Sequence, residues 1–442
     1  MRSHRQRPAV VLLAKELREL LASRAFWLLL LMIGPLVGHS FITAVDTYAE
    51  ASGIGGGPAA LAQGLSPLDG ILVPTFGAYD LAVTLLFPFV AIRLVSAEKA
   101  SGAWKLMLQA PMNLPSMLAA KAVALGIGWF LAWTPGFLAL LLWKVYGGWL
   151  AAPELSNLLL GHFLRVILSS AVAVAAAAIA TNAASAAIAT LGFTVGTWAL
   201  EFVAVGRGGW LQALAAYTPT AVLHTFEQGQ LRLSTVLVTL LFGVAGFGVA
   251  GVWLVARRDV GWHLAASLGV VAVFGAFSLG ASQVRATWDL SENRRNSFSL
   301  ADEAALRQIR QPLHVTVNLA AEDPRRMDLD RNVLSKLTRI LPKTEIDYAS
   351  RGRLGLFEGP GDHYGEVWYE MEGRRVMSRS ATEPIVLDTL FQLARVEPPV
   401  RRETEAAGHP LPARPTGAAW IYYAVWPLVV GAVCWYYFRG RS

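Results

Sequence analysis

Residues 158–205 read LLLGHFLRVILSSAVAVAAAAIA, then TN, then AASAAIATLGFTVGTWALEFVAV. Each apolar run is long enough to cross a bilayer core of ~30 Å, which needs about 20 residues in a helix. The polar pair Thr181-Asn182 between the runs predicts a tight helical hairpin. Six further segments have the same character: 26–45, 78–97, 119–142, 233–256, 262–282 and 418–438. With 158–180 and 183–205, they predict an α-helical polytopic membrane protein with about eight spans.

The composition of the 442 residues excludes several other classes of protein. Hydrophobic residues make up 54% of the chain, charged residues make up 16%, and the mean hydropathy is +0.44. A soluble domain has about 25% charged residues, so one water-soluble core, a disordered chain and a collagen are all excluded. The single cysteine, Cys434, can form no disulfide within the chain. The net charge of +7 suggests nucleic acid, but in a membrane protein basic residues are interpreted by their position relative to the spans. No nucleic-acid partner is therefore expected.

The basic residues predict the orientation of the spans. With a cytoplasmic N-terminus, the loops 46–77 and 143–157 are outside. The first loop holds no basic residue, and the second holds only Lys144. The inner segments then hold Arg2, Arg5, Arg7, Lys99, Lys105, Lys121, Arg257, Arg258, Arg439 and Arg441. This distribution follows the positive-inside rule, and the even number of spans places both termini in the cytoplasm. An amphipathic stretch within 1–25 is expected to lie on the cytoplasmic surface of the membrane. A cleaved signal peptide fits less well, because charges continue to Arg24.

The longest polar stretch, 283–416, lies between the seventh span, within 257–282, and the last one. Its pattern alternates predicted strands and helices: an N-cap at Ser299, a strand at 314–319, a helix at 328–341, a strand at 344–349, a hairpin at 364–380 and a helix at 382–395. This order predicts a small extracytoplasmic α/β domain over 283–396. The proline-rich residues 397–416 predict an extended linker. Residues 417–442 are expected to form the final span and a short cytoplasmic tail.

The sequence contains no motif that indicates catalysis. It lacks a phosphate-binding P-loop, a His-Glu-x-x-His motif, a Cys-x-x-Cys motif and a Gly-x-Ser-x-Gly motif. We therefore expect no enzyme, no catalytic residue, no metal site and no directly bound cofactor. His162 and His224 near the outer face could contact a ligand or metal, but they are interpreted as ordinary interfacial histidines. Asp362-His363 lies in a glycine-rich turn, and an enzyme site there is not favoured.

The inner loop 97–118 is the first candidate site. Glu98 follows the second span, Gly102 permits a turn, and Pro111 ends the segment. Between them, a short amphipathic helix is predicted that includes Trp104, Lys105 and Leu106. Such a projecting helix is suited to docking a partner, and a plain solvated loop is the alternative.

Two charges inside spans form the second candidate site. Arg165 in the fourth span and Glu201 in the fifth are expected at a similar depth near the outer end of adjacent antiparallel helices. A charge inside a span costs several kcal/mol unless it is paired or lines a polar path. The two residues are therefore predicted to form a buried ion pair, with a role in lining a substrate path as the alternative.

The N-terminal half of the chain resembles a known family. The segments Lys15-Glu16-Leu17-Arg18, Ser96–Gly102 with Leu106, Ala110-Pro111 and Lys121, and Tyr217–Gly229 resemble ABC-2-type exporter permeases. The resemblance implies a six-span permease domain over 26–256 in a bacterial inner (plasma) membrane. It also implies a separately encoded ABC ATPase, which would use the ATP, and a second permease half that is either a copy of this chain or a related protein. The loop 97–111 would be the coupling helix that docks on the ATPase.

The polar region resembles a second component of such systems. Trp288–Arg294, Phe298-Ser299-Leu300 and Pro312–Val317 are similar to the start of a gliding-motility-type auxiliary domain, here in a shortened form. The resulting hypothesis is an exporter permease fused to this domain and surrounded by membrane lipids. The alternative is a membrane-anchored scaffold that recruits envelope or gliding proteins through 283–396 without transport of its own. The substrate is not readable from the sequence.

Overall fold

The computed structural model describes residues 8–54, 66–109, 112–204, 210–292, 294–320, 323–348, 363–400, 408–412 and 416–439. The chain forms two compact units. The first comprises Met1–Glu201, Ala213–Trp288 and Glu405–Ser442, and the second comprises Phe202–Gln212 and Asp289–Thr404.

The first unit is built almost entirely of helices. In chain order they are α1 (Pro8–Leu21), α2 (Arg24–Ala51), a π-helical turn (Leu68–Leu72), α3 (Val73–Ser101), α4 (Ala103–Met107), α5 (Leu114–Ala132), α6 (Thr134–Val145), α7 (Ala152–Ile179), α8 (Ala183–Ala204), α9 (Trp210–Ala215), α10 (Pro219–Glu227), α11 (Leu233–Leu254) and α12 (Val260–Ser282). The short strands β1 (Gln230–Arg232) and β2 (Thr287–Asp289) pair with each other. The last helical elements of this unit are α17 (Ala418–Trp420), a π-helical turn (Ile421–Val425) and α18 (Trp426–Arg439).

Eight helical segments within the described residues are long and apolar enough to cross a membrane. They are Arg24–Ala51, Leu68–Ser101, Leu114–Val145, Ala152–Ile179, Ala183–Ala204, Leu233–Leu254, Val260–Ser282 and Ala418–Arg439. These segments confirm the eight predicted apolar helices. The helices extend further into the loop 46–77 than hydropathy predicts, because Ser40–Ala51 and the turn at Leu68 continue the helical backbone through polar residues. The predicted glycine-rich part of that loop, Gly55-Gly56-Gly57-Pro58, lies outside the described residues.

Small residues on α2 allow the last span to pack closely against it. Gly34 and Gly38 are one helical turn apart, and a Cβ atom on either glycine would overlap the ring of Trp426 or Tyr422, respectively. Trp426 Nε1 donates a hydrogen bond to the Leu30 carbonyl oxygen at 2.9 Å, and the Tyr422 hydroxyl donates to the Pro135 carbonyl oxygen at 2.8 Å. This is the small-xxx-small arrangement that brings membrane helices together. The eighth span is thus a packed part of the first unit.

The helices of the first unit differ strongly in how much they are buried. The helix α7 packs against α3, α10 and α11, and it has the largest buried share of the eight spans. By contrast, α8 and α12 bury few of their side chains. The helix α8 therefore lies beside the other helices without close packing, which leaves space along both of its sides.

The second unit is a two-layer α/β structure. Its helices are α13 (Leu300–Leu306), α14 (Pro324–Leu329), a π-helical turn (Asp330–Leu334), α15 (Ser335–Ile340) and α16 (Glu383–Ala394). Its strands are β3 (Leu313–Val317), β4 (Thr344–Tyr348), β5 (Val367–Met371) and β6 (Arg374–Ser378). The sheet order is β4-β3-β5-β6, in which β3 and β4 are parallel and the other pairs are antiparallel.

Alternation along the strands sends one set of side chains into the core of this unit. Val315 and Val317 in β3 and Tyr369 in β5 are fully shielded from solvent and pack with the buried faces of the helices. The strands lie where period-two alternation predicts them, and the β5–β6 hairpin turns at Glu372-Gly373 as expected. Both turn residues have positive φ, 48° and 74°, the conformation that a two-residue hairpin requires.

Candidate functional site

Four charged side chains from three helices meet inside the first unit, and we call them the charge cluster: Lys15, Glu16, Glu98 and Lys121. Lys121 Nζ lies 2.9 Å from Glu16 Oε2 and 2.8 Å from Glu98 Oε2. Lys15 Nζ forms an ion pair with Glu98 and lies 3.3 Å from Glu16 Oε1. Glu16 and Lys121 are fully shielded from solvent, Glu98 is 3% exposed and Lys15 is 34% exposed. Two carboxylates therefore face two ammonium groups in a largely water-free setting.

The residue spacing along α1 and a glycine on α5 explain how Glu16 comes to lie beside Lys121. Leu12, Glu16 and Leu20 recur every four residues, so they share the face of α1 that packs on α5. The close approach is possible because Gly128 on α5 has no side chain, and a Cβ there would lie 2.6 Å from Leu20 Cδ1. The Asn113 side chain caps the start of α5 by accepting a hydrogen bond from the Ser116 amide at 3.0 Å. The cluster thus links the surface helix α1 to two spans.

The charges in the cluster balance one another. Lys121 donates hydrogen bonds to both carboxylate oxygens of Glu16, at 3.0 and 2.9 Å, and to the Leu94 carbonyl oxygen at 3.0 Å. Partial burial alone would lower the pKa of Lys15, but its hydrogen bond to Glu98 and the negative charges of Glu16, Glu98 and Glu19 raise that pKa above its usual value. The carboxylate oxygens of Glu16, Glu19 and Glu98 lie close enough together to hold a cation. Lys15 forms ion pairs with all three carboxylates, and Lys121 forms ion pairs with Glu16 and Glu98, so the donor set is that of an ion-pair network.

A short helix, α4, is present within the inner loop in which the sequence predicts one, and it begins directly after Gly102. Gly102 has a φ of 75°, and this left-handed turn separates α3 from the short helix α4. The ring of Trp104 is buried, and its Nε1 donates a hydrogen bond to the Leu254 carbonyl oxygen at the end of α11, at 3.0 Å. Lys105 and Leu106 point away from the protein, and Leu106 is 70% exposed. Pro111, the predicted end of this segment, lies outside the described residues.

Lys99 connects the same corner of the unit to α7. Its Nζ donates hydrogen bonds to the carbonyl oxygens of Ala177, Ala178 and Ala180 at 3.0, 2.7 and 2.8 Å. These carbonyl groups end α7, where a helix has unpaired acceptors and a partial negative charge. The sequence indicated Lys99 only as a topology marker. The contact joins residues about 80 positions apart, so no local sequence pattern around Lys99 predicts it.

The predicted pairing of Arg165 with Glu201 is replaced by other contacts. Arg165 Nε lies 2.7 Å from Asp80 Oδ1 and donates to Thr84 Oγ1 at 3.2 Å, so the guanidinium group faces α3. Glu201 instead accepts a hydrogen bond from the Thr218 hydroxyl. The prediction used only depth along adjacent helices, and it failed because α8 does not pack against the face of α7 that carries Arg165. Asp80 on α3 is the ion-pair partner of Arg165.

The histidines are held by structural contacts. His162 is buried among Phe76, Tyr79 and Trp133, with ring centroids 5.9, 6.0 and 5.3 Å away. His224 Nδ1 lies 2.6 Å from Glu227 Oε2, and the hydrogen bond that this carboxylate accepts raises the pKa of His224. His363 Nδ1 lies 3.1 Å from Glu366 Oε2, whereas Asp362 lies outside the described residues. His224 and His363 are thus engaged with carboxylates, whereas the buried Nε2 atom of His162 has no hydrogen-bond partner among the described residues.

Comparison with known proteins gives no relative for this chain, since no family model, no curated protein and no solved structure matches it. The charge cluster and the helix beside it are therefore the features on which a function can be argued.

Proposed function

We propose that this chain is the membrane-spanning permease subunit of an ATP-binding-cassette exporter and is driven by a separately encoded ATPase. The supporting observation is the charge cluster, whose buried ion pairs join α1, α3 and α5 next to the Gly102 turn that leads into the exposed helix α4. A buried pair that loses one partner becomes strongly unfavourable, so these helices are expected to move together. The chain itself contains no P-loop, and energy from ATP would therefore come through a partner.

The contacts around α4 provide a route by which docking could move the spans. Trp104 connects α4 to the end of α11, and Lys99 connects the adjacent end of α3 to the end of α7. A displacement of α4 by a closing ATPase would be carried to both contacts and to the charge cluster. Lys105 and Leu106 on the exposed face would contact the ATPase. This arrangement supports a coupling role for the segment, with both termini and α4 on the cytoplasmic side.

The first test addresses the partner. The full chain, purified in mild detergent from its native host, should bring down an ABC ATPase, and Leu106→Glu should weaken this association. The matched control is Leu300→Glu, because Leu300 is equally exposed, at 71%, and lies on α13 in the second unit. A chain that supports export and never associates with an ATPase would refute the proposal.

The second test addresses coupling. Gly102→Val should separate ATP hydrolysis from transport, because a β-branched residue disfavours the positive φ on which the orientation of α4 depends. Gly373→Val is the matched control, since Gly373 has a φ of 74° and neither glycine has an atom within 4 Å of a Cβ position. If both variants retain coupled transport, the coupling role of 97–111 is wrong.

A further inference from the structure

An apolar crevice with a volume of about 690 Å³ lies among α7, α8, α11 and α12 in the first unit. Its walls include Val172 and Ala176 from α7, Phe193 from α8, Phe242 from α11, and Phe274 and Gly275 from α12. The space exists because α7 presents small alanine side chains here and because α8 lies apart from its neighbours. Sites for drug-sized ligands have volumes of about 300–1,000 Å³, so the crevice can hold a compact organic molecule.

The carboxylate of Glu201 lies next to the lining of the crevice and is not itself part of that lining. Thr197 and Thr218 line the crevice, and Thr218 donates its hydroxyl hydrogen bond to Glu201. Glu201 is one helical turn beyond Thr197, so it continues the same face of α8. It is half-buried, and among the described residues it forms no ion pair with a basic side chain. Its negative charge is thus placed at the edge of an apolar space.

The neighbouring charges are already engaged with other partners. Arg165 is paired with Asp80, His224 with Glu227, and the Arg232 guanidinium group donates to Gln230 Oε1 at 2.8 Å beside Tyr217. At the opposite end of the crevice, near Ala180, the Lys99 ammonium group donates to three carbonyl oxygens. Among the charged residues that the structure describes near the crevice, Glu201 therefore has the fewest competing contacts.

We propose that this crevice binds a lipophilic monovalent cation, with its apolar body between α7, α8, α11 and α12 and its positive charge beside Glu201. The combination of an apolar wall and one carboxylate favours such a molecule over an anion of equal size, because attraction between opposite charges is strengthened near a low-dielectric wall. Binding at this site does not require the proposed transport function. If that function holds, lipophilic cations are candidate cargo.

The experiment uses tetraphenylphosphonium and tetraphenylborate, which have nearly the same size and opposite charge. Equilibrium dialysis against the full chain in detergent, with empty micelles as the background, should show saturable binding of the cation and weaker binding of the anion. Glu201→Gln should weaken cation binding about tenfold and should not weaken anion binding.

Two glycines on α12 provide a matched pair of further variants. A Cβ on Gly275 or on Gly269 meets no atom within 4 Å, and only Gly275 lines the crevice. Gly275→Leu should therefore reduce cation binding, whereas Gly269→Leu should leave it unchanged. Equal binding of the two ions, an unaffected Glu201→Gln variant or the absence of saturable binding would overturn the proposal. The first two of these outcomes would identify a crevice that holds any apolar chain, such as a lipid tail.

Discussion

Three of the four side chains in the charge cluster are shielded from water, so the loss of one leaves its partners with uncompensated charge. Lys121→Met should lower the free energy of unfolding by about 3–5 kcal/mol, because Glu16 and Glu98 would remain buried and repel each other. Adding Glu16→Gln should recover part of this loss. Lys105→Met is the control, since Lys105 is exposed and should change stability by less than about 0.5 kcal/mol. Unfolding of the purified full chain by denaturing detergent measures these differences, and equal effects of the two lysine changes would contradict the cluster.

Arg165 provides a second residue-level test, in which two candidate partners compete. A double-mutant cycle of Arg165→Ala with Asp80→Ala should give a coupling energy of about 0.5–3 kcal/mol, because the two groups are in direct contact. The corresponding cycle with Glu201→Ala should give a value close to zero. A larger coupling with Glu201 would restore the pairing that the sequence predicted.

Asp323 in the second unit is expected to make the free energy of unfolding depend on pH in the acidic range. The Arg325 side-chain hydrogen bond, with a further one from Tyr364, lowers the pKa of Asp323 to about 2. A lowered carboxyl pKa stabilises the fold above the unfolded value of about 3.9, and this contribution is lost as the pH falls through the folded value. Because Arg325 is half exposed, the effect is on the order of 1 kcal/mol.

Circular dichroism melting of the full chain between pH 5 and pH 2.5 measures this contribution. The wild-type protein should lose more stability over that range than Asp323→Asn, which cannot titrate at this position. Parallel declines of the two proteins would show that the interaction contributes no pH dependence.

At the scale of helices, the packing of the last span on α2 depends on Gly34 and Gly38, whose lack of side chains leaves room for the aromatic rings of that span. Gly38→Val should displace the Tyr422 ring and cost at least about 1–3 kcal/mol by overpacking. Gly431→Val on α18 is the control, since a Cβ there meets no atom within 4 Å. The thermal midpoint in detergent and disulfide cross-linking between α2 and α18 distinguish the variants. Unchanged cross-linking in Gly38→Val would mean that the span is not held at this glycine.

The sequence predicts elements well and contacts between distant elements poorly. The eight apolar helices were predictable because length and hydropathy are local properties, and the strands β3, β5 and β6 were predictable from alternation. The ion pairs of Glu98 and Lys121 with α1 join residues 83 and 105 positions apart, which no local pattern specifies. One long-range signal was present and unused, since Gly34 and Gly38 form the spacing that receives another helix.

For the whole molecule, we predict that the second unit lies outside the membrane and that the charge cluster lies on the cytoplasmic side. In a Cys434→Ser background, Thr338→Cys in the second unit should react with a membrane-impermeant maleimide on intact cells. Ser101→Cys, beside the charge cluster, should react only after the membrane is opened. Both positions are exposed, so access depends on which side of the membrane they occupy. The reverse labelling pattern would place the charge cluster outside and would exclude an ATPase at α4.

The contact between the last span and α2 also determines how late in synthesis the helix bundle can be completed. Trp426 and the Leu30 carbonyl group to which it donates are 396 residues apart. At about 5–20 residues per second, synthesis of the intervening chain takes roughly 20–80 s, and during this interval the groove at Gly34 and Gly38 has no partner from its own chain. The first span therefore remains without this packing partner until Trp426 has been synthesised. Ribosome stalling or premature termination after the seventh span would leave this groove open to other membrane proteins.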